Sequence, residues 1–322
     1  MAAAVMPVGE APSRHARELV RGAYDLHVHV APDVMARRIT DLELSGRFAA
    51  VGLAGYVLKS HYVPTAERAA VLRQAVPEVD ALGAICLNAA VGGMNPLAVE
   101  IAAREGARIV WLPTVDAANH RATRHALPPE ATRPMWVALM DELAAKGMEP
   151  PPVAVVDAAG EPLTATRQVL ELVAAHDLVL ATGHLGREEI LAVVTAAVDA
   201  GVRRVVVTHP EFPMQDLPLS DQVELTAQGA FLERCFTTPF TGKYEWARLV
   251  ANIRATGPEH TVLSTDLGQP HNPPVEDGLA LFADALLAAG FSDEEVHRMA
   301  VDNTRLLAAS QRQGSPLSGS AP

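Results

Sequence analysis

Residues 24–30 read YDLHVHV, and the chain runs on into Ala31-Pro32-Asp33. Histidines stand at 27 and 29, separated by one valine and surrounded by apolar residues. In a strand, positions i and i+2 point to the same face, so His27 and His29 share one side and Val28 takes the other. If the strand belongs to a barrel, the shared side is the interior, and two imidazoles aim at its axis.

Seven more short apolar runs follow: GLAGYVLK (52–59), LGAICLN (82–88), RIVWLP (108–113), DLVLATGH (177–184), RRVVVTHP (203–210), GAFLERCF (229–236) and TVLSTD (261–266). Helical patterns come between them. PTAERAAVLRQAV starts with a helix-entry proline, Asn95-Pro96 supplies a cap and a first-turn proline, and a last helix starts from Ser292. Eight strand–helix units predict an α/β fold, a (β/α)8 TIM barrel over 23–309, allowing for distortion. A helical extension is expected over 1–22. A short hairpin, VAVVDAAGEPL (153–163), is expected as an insertion after strand four. The Ser/Gly/Pro-rich stretch 310–322 is expected to be a disordered tail. A doubly wound sheet competes, but the chain carries neither GxGxxG nor GxxxxGK[ST].

The bulk numbers agree with a large buried core. The chain has 322 residues, 49% of them hydrophobic but only 4% aromatic, so Val-rich strands under Ala/Leu-rich helices are expected. The net charge of −12 argues against nucleic-acid binding. No apolar run is long enough to span a bilayer, and no signal-peptide pattern opens the chain, so no membrane partner is expected. Two cysteines, Cys86 and Cys235, make no disulfide framework and read as small buried residues. The chain is therefore expected in the cytoplasm, as a homo-oligomer acting on a small molecule.

In a barrel of this kind, chemistry gathers at the C-terminal ends of the strands. There the runs place His27 and His29, Lys59 followed by His61, Asn88, Thr114 with Asp116, His184, His209, Glu233 with Arg234, and Asp266. Imidazoles are good ligands for zinc, iron and nickel. A single strand histidine is ordinarily a hydrogen-bonded core residue, and His209-Pro210 can be a plain turn. Four histidines and an aspartate ending strands one, five, six and eight favour a site for one or two ions. His15, His120, His125, His176, His260 and His297 fall in helices or loops and read as surface residues. Weaker signals come from Asp33, a loop cap or outer partner of a ligand, and from His271, a pocket residue. Arg187 and Arg234 suit bidentate binding of a substrate carboxylate, or are surface arginines.

The set DLHVH, TGH (182–184), VTH (207–209) and STD (264–266) resembles the amidohydrolase superfamily, over residues 23 to about 307. The resemblance implies that His27, His29 and Asp266 hold one ion. It implies that His184 and His209 hold a second, or that one ligates while the other polarises the substrate. It makes Asp266 the general base and His209 a catalytic partner. The implied cofactor is one or two divalent ions, zinc first, with manganese, iron or nickel as alternatives. The implied reaction is attack of a metal-bound hydroxide on an amide, lactam, cyclic imide or lactone, since a metal lowers the pKa of water from about 15.7 to about 7.

One departure matters. Relatives with two ions carry a carboxylated lysine or a glutamate at the end of strand four, where this chain has Trp111-Leu112-Pro113-Thr114. Lys59, ending strand two, either replaces that lysine as a bridging carbamate or anchors a substrate anion. His61 then contacts a ligand or the substrate. Asp33, Arg187, Arg234 and His271 remain substrate-contact candidates. The alternatives are a one-ion decarboxylase, hydratase or deaminase of the same superfamily, then a PHP-type phosphoesterase, then a metal-binding scaffold without catalysis.

Overall fold

The computed structural model of the chain describes residues 9–123 and 135–309. Residues 1–8 of the expected N-terminal extension, loop positions 124–134 with His125, and the expected tail 310–322 lie outside the described residues.

The eight expected strands form. They are β1 (Tyr24–Val28), β2 (Gly55–Leu58), β3 (Asp80–Cys86), β4 (Ala107–Trp111), β5 (Val179–Ala181), β6 (Val205–Val207), β7 (Phe231–Cys235) and β8 (Thr261–Ser264). All neighbours pair in parallel and in chain order. A parallel bridge from Val28 to Leu267 joins the first strand to the segment after the last, closing a (β/α)8 barrel.

Helices follow each strand. Helix α1 (Arg14–Leu19) precedes the barrel, and α2 (Asp41–Val51), α3 (Ala66–Ala75) and α4 (Pro96–Arg104) make the first three crossovers. Between β4 and β5 lie α5 (Ala118–Thr123), α6 (Met135–Ala145) and α7 (Thr164–Ala175). Then come α8 (Arg187–Asp199), α9 (Leu219–Ala227), α10 (Thr237–Phe240) and α11 (Trp246–Thr256). Helices α12 (Val275–Ala288), α13 (Asp293–His297) and α14 (Asn303–Ala308) end the described chain. Local chemistry sets the starts. Thr40 and Glu43 form a capping box on α2, Ser292 and Glu295 another on α13, and Asn95 caps α4 with Pro96 in the first turn.

The expected hairpin at 153–163 is smaller than a pair of strands. Val156 and Pro162 make one antiparallel bridge, while Val153 pairs in parallel with Ala117 after β4. The insertion is thus tied back to the exit of strand four rather than standing on its own.

Alternation along the strands separates two kinds of core. Val57, Ala84, Cys86, Ile109, Trp111, Val179, Ala181, Val206 and Val262 fill the barrel interior. Tyr56, Leu58, Leu263 and Val28 pack outward against helices. Each fully buried Val or Leu contributes roughly 1.5–3 kcal/mol. In β1 the alternation breaks, because the register with β2 shifts between Asp25 and Val28. Leu26 belongs to the interior cluster, yet His27, the next residue, stands 5.8 Å from the inward Trp111 ring, and both His27 and His29 meet Asp266. The irregularity turns the strand so that both imidazoles face inward, as bulges beside active sites do.

Asp25 locks that turn. It is fully buried, and its carboxylate accepts from Thr265 N (3.0 Å), Thr265 Oγ1 (2.5 Å) and His27 N (3.3 Å). Removing it leaves three buried donors without this acceptor. Asp25→Ala is expected to destabilise the fold by about 1–3 kcal/mol, read as a lower urea midpoint with an unchanged slope. A midpoint equal to that of the wild type would show that the seam between β1 and β8 does not depend on this carboxylate.

Candidate metal centre

The C-terminal mouth of the barrel holds a tight cluster. Asp266 Oδ1 lies 3.3 Å from His27 Nε2 and 3.2 Å from His29 Nε2. These three donor atoms lie within 4.8 Å of one another. Lys59 Nζ donates to His27 Nε2 at 2.8 Å and lies 5.1 Å from the centre of the Trp111 ring, which floors the site. His209 stacks beside His27 with ring centres 5.9 Å apart, and His184 lies 5.1 Å from His209. His61 sits 5.1 Å from His29 and 5.8 Å from His184, held by Thr114 Oγ1 at 2.8 Å from its Nδ1. The structure therefore gathers His27, His29, Lys59, His61, His184, His209 and Asp266 around one mouth.

Backbone geometry explains how strand ends aim these side chains. Asp266 (φ 52°) and His209 (φ 27°) adopt left-handed conformations, which cost a non-glycine residue roughly 1–2 kcal/mol. Such strain clusters at functional sites. In TGH the left-handed residue is Gly183, where a Cβ would meet Leu112 O at 2.4 Å. His184, His209 and Asp266 each lie one or two positions after a threonine, Thr182, Thr208 and Thr265, that stitches strand ends together. Gly183 N donates to Thr208 Oγ1 and Thr208 N to Thr182 Oγ1, which aligns His184 with His209.

Burial sets the protonation of the cluster. Desolvation, reinforced by the Arg37 guanidinium, holds His29 down at about 3. Desolvation and Lys59 hold His209 at about 4. His61 and His184 are pushed well below the usual histidine range by burial and by neighbouring cationic groups. All four are neutral at pH 7, the form that ligates a metal. Asp266 goes the other way. Burial opposes its charge, but His27, His29 and Lys59 hold it well below the usual carboxylate range.

The outer partners also fit a metal. Glu233 Oε2 accepts from His27 Nδ1 at 3.1 Å, which puts the lone pair on His27 Nε2, where Lys59 Nζ now donates and an ion would take its place. His120 Nδ1 meets His184 Nδ1 at 2.7 Å and stacks on the same ring, with centres 4.8 Å apart. His209 Nδ1 is buried with no hydrogen-bond partner among the described residues. Arg37 Nη2 lies 3.3 Å from His29 Nδ1 and favours the tautomer with the proton on Nε2, so ligation by neutral His29 through Nε2 requires that proton to shift to Nδ1 and Arg37 to turn away. The donor set of two imidazoles and a carboxylate, buried and backed by Glu233, suits zinc or a similar divalent ion.

Several expected residues lie elsewhere. Arg187 is at the start of α8 and forms an ion pair with Asp221, outside the mouth. Arg234 points out of the barrel, because Glu233 takes the inward position of β7, and it is fully buried against Glu211, Gln222 and Thr256. Asp33 pairs with Arg37 at 2.6 Å and touches the site only through that arginine. His271 is exposed on the loop after β8. His120, expected on the surface, is buried because α5 folds back over His184. Glu233 stood in the sequence beside Arg234, and strict alternation from Cys235 would have found it. Asp25 and His120 had no such signal.

A cavity of about 770 Å³ lies at the opposite end of the barrel, lined by Arg73, Arg108, Asp177 and Arg305. That face carries stability rather than chemistry in barrels of this type. Arg108 is spent there on the carbonyls of Leu307 and Asp177. Glu233→Gln is expected to lower affinity for a divalent ion about 10–100-fold, measured by chelator competition, because His27 Nδ1 loses the anionic acceptor that raises the basicity of its Nε2. Unchanged affinity would remove His27 from the ligand set.

The sequence from 22 to 233 matches the model of a family described as "Family of unknown function (DUF6282)". That span holds every site residue named above except Asp266. No curated protein matches the chain in sequence. In structure it is similar to an amidohydrolase from Pseudomonas aeruginosa, with 13% identity over 91% of this chain and 98% of that one, at a TM-score of 0.59. The probable dipeptidase PvdM of the same organism is also similar, with 13% identity, 91% and 97% coverage, and a TM-score of 0.58. So is a putative 2-pyrone-4,6-dicarboxylic acid hydrolase from Pseudomonas putida, with 17% identity, 89% and 97% coverage, and a TM-score of 0.53. At these identities the likeness concerns the fold alone, the (β/α)8 barrel expected from the sequence. By the family match over two thirds of its length, the chain is a member of the DUF6282 family, built on that barrel.

Proposed function

We propose that the chain is a metal-dependent hydrolase that adds water to a carbonyl carbon and breaks its bond to nitrogen or oxygen. Amide, lactam, cyclic imide and lactone bonds are the target class. The observation that carries this reading is the position of Asp266 Oδ1, at 3.3 and 3.2 Å from the Nε2 atoms of His27 and His29. His27, His29 and Asp266 would hold the ion. When bound, a divalent ion supplies Lewis acidity, polarising the carbonyl and acidifying water.

The chain's own residues do the rest. Asp266 is the most exposed of the three, at 17% against 1% for His27 and 5% for His29. It therefore meets water and substrate, takes a proton from the attacking water and delivers it to the leaving nitrogen or oxygen. Thr237 Oγ1 donates to Asp266 Oδ2 at 3.2 Å and fixes the carboxylate plane. His209, neutral at pH 7, donates one hydrogen bond to the carbonyl oxygen as charge develops there. A cavity of about 470 Å³ adjoins the mouth beside Tyr62, lined by Ala89, Ala90, Val115, Met140 and Leu143, and accommodates an apolar part of the substrate.

A one-ion enzyme of the same type is the second reading. The favouring observation is that His184 and His209 do not join a group of three donors within 4.8 Å among the described residues, whereas His27, His29 and Asp266 do. In a two-ion form Lys59, as a carbamate made from its amine and CO2, would supply the carboxylate ligand that strand four lacks.

Two measurements decide between them. Elemental analysis of protein purified without chelator and with bicarbonate is expected to give one or two ions per chain. Two ions with a carboxylated Lys59 in the intact mass support the bridge. One ion leaves Lys59 free to hold a substrate anion. Asp266→Asn is expected to lower turnover by a factor of about 10²–10⁴ while the protein remains folded. Wild-type turnover in that variant would sink the assignment of the base.

A further inference from the structure

The hydrolase reading does not say what the substrate carries besides its carbonyl. The cations near the mouth bear on that question. Arg187, Arg234, Arg37 and Arg121 are each matched by a carboxylate, on Asp221, Glu211, Asp33 and Asp116. None has a free charge for an anion.

The chain has three lysines. Lys146 is paired with Glu142 on the surface, and Lys59 is buried inside the metal cluster against His27 and Trp111. Lys243 differs from both. It lies between α10 and α11, in the segment after β7, and its backbone N–H donates to Thr238 O at 3.0 Å, which pins the turn. Its Nζ stands 5.3 Å from the centre of the Phe212 ring, and that ring lies 5.1 Å from His209. The side chain is half-buried, and among the described residues its Nζ forms no ion pair or hydrogen bond. Burial presses its pKa down, while the field of Asp266 pushes the other way, so ammonium and catalytic carboxylate share one electrostatic space.

An ammonium partly withdrawn from water, with an aromatic face in place of a carboxylate, is only partly compensated. An anionic group arriving at the mouth completes it. We propose that Lys243 anchors a carboxylate of the substrate, which makes the substrate an anionic amide or lactone with its scissile carbonyl over Asp266 and its carboxylate on the Phe212 side. The word substrate rests on the hydrolase reading; the anchoring itself does not.

The test is therefore binding rather than turnover. Metal-loaded wild type, Lys243→Met and Lys243→Arg are titrated calorimetrically with N-acetylglycine, and with uncharged N-acetylglycinamide as the reference. Wild type is expected to favour the carboxylate by about tenfold or more, the scale of one charge-assisted hydrogen bond. Lys243→Met is expected to lose that preference and Lys243→Arg to keep most of it, with ion content and Tm unchanged in both. No preference in the wild type, or a preference that survives in Lys243→Met, overturns the anchor. An equal loss of affinity for both ligands in Lys243→Met also overturns it, since the lysine would then act on the site as a whole. If neither amides nor lactones are hydrolysed but the preference follows Lys243, the hydrolase reading fails and the anchor stands.

Discussion

Two backbone hydrogen bonds of 2.8 Å, from Asp266 N to His27 O and from His29 N to Leu267 O, join the first strand of the barrel to the segment after the last. They close the sheet, and they also set the distance between the two imidazoles and the carboxylate that would share an ion. The residues involved are 237 or more positions apart in the chain. Closure alone brings them together. Asp25 and Thr265 reinforce the seam from its outer side, so the strength of the joint and the geometry of the site have one cause.

The same economy recurs around the mouth. Thr182 Oγ1 accepts from Thr208 N and Thr208 Oγ1 from Gly183 N, tying the ends of strands five and six just before His184 and His209. Asn88 and Thr114 tie strands three and four and present Thr114 to His61. In each case a small polar residue satisfies strand-end backbone groups that would otherwise be buried without partners, and the next side chain is aimed inward as a result. The left-handed backbone at Asp266 and His209 is the local cost of that aim.

Burial gives the centre its charge pattern. Neutral imidazoles surround ionised carboxylates, Asp266 toward solvent and Glu233 beneath His27. Lys59 stands among them from the end of strand two. Trp111 occupies the inward position of strand four, and it serves as floor to the site.

The eight runs of apolar residues and the caps at Thr40, Asn95 and Ser292 determined the barrel, because strand alternation and helix capping are local and written in neighbouring residues. The strand-end positions of His27, His29, His184, His209 and Asp266 were legible for the same reason: in a barrel, the end of a run is the mouth. The fates of Arg187, Arg234 and His120 were not. Whether a guanidinium faces a substrate or a carboxylate such as Asp221 or Glu211 depends on partners brought from other strand–helix units. A helix of six residues folding over His184 leaves no periodic trace in sequence. The register shift in β1 was equally hidden, since one extra residue in a strand is visible only against its partner. Sequence determined which residues stand at the mouth; long-range pairing decided which of them face one another, because ion pairs, bulges and stacked rings are properties of two segments and not of one.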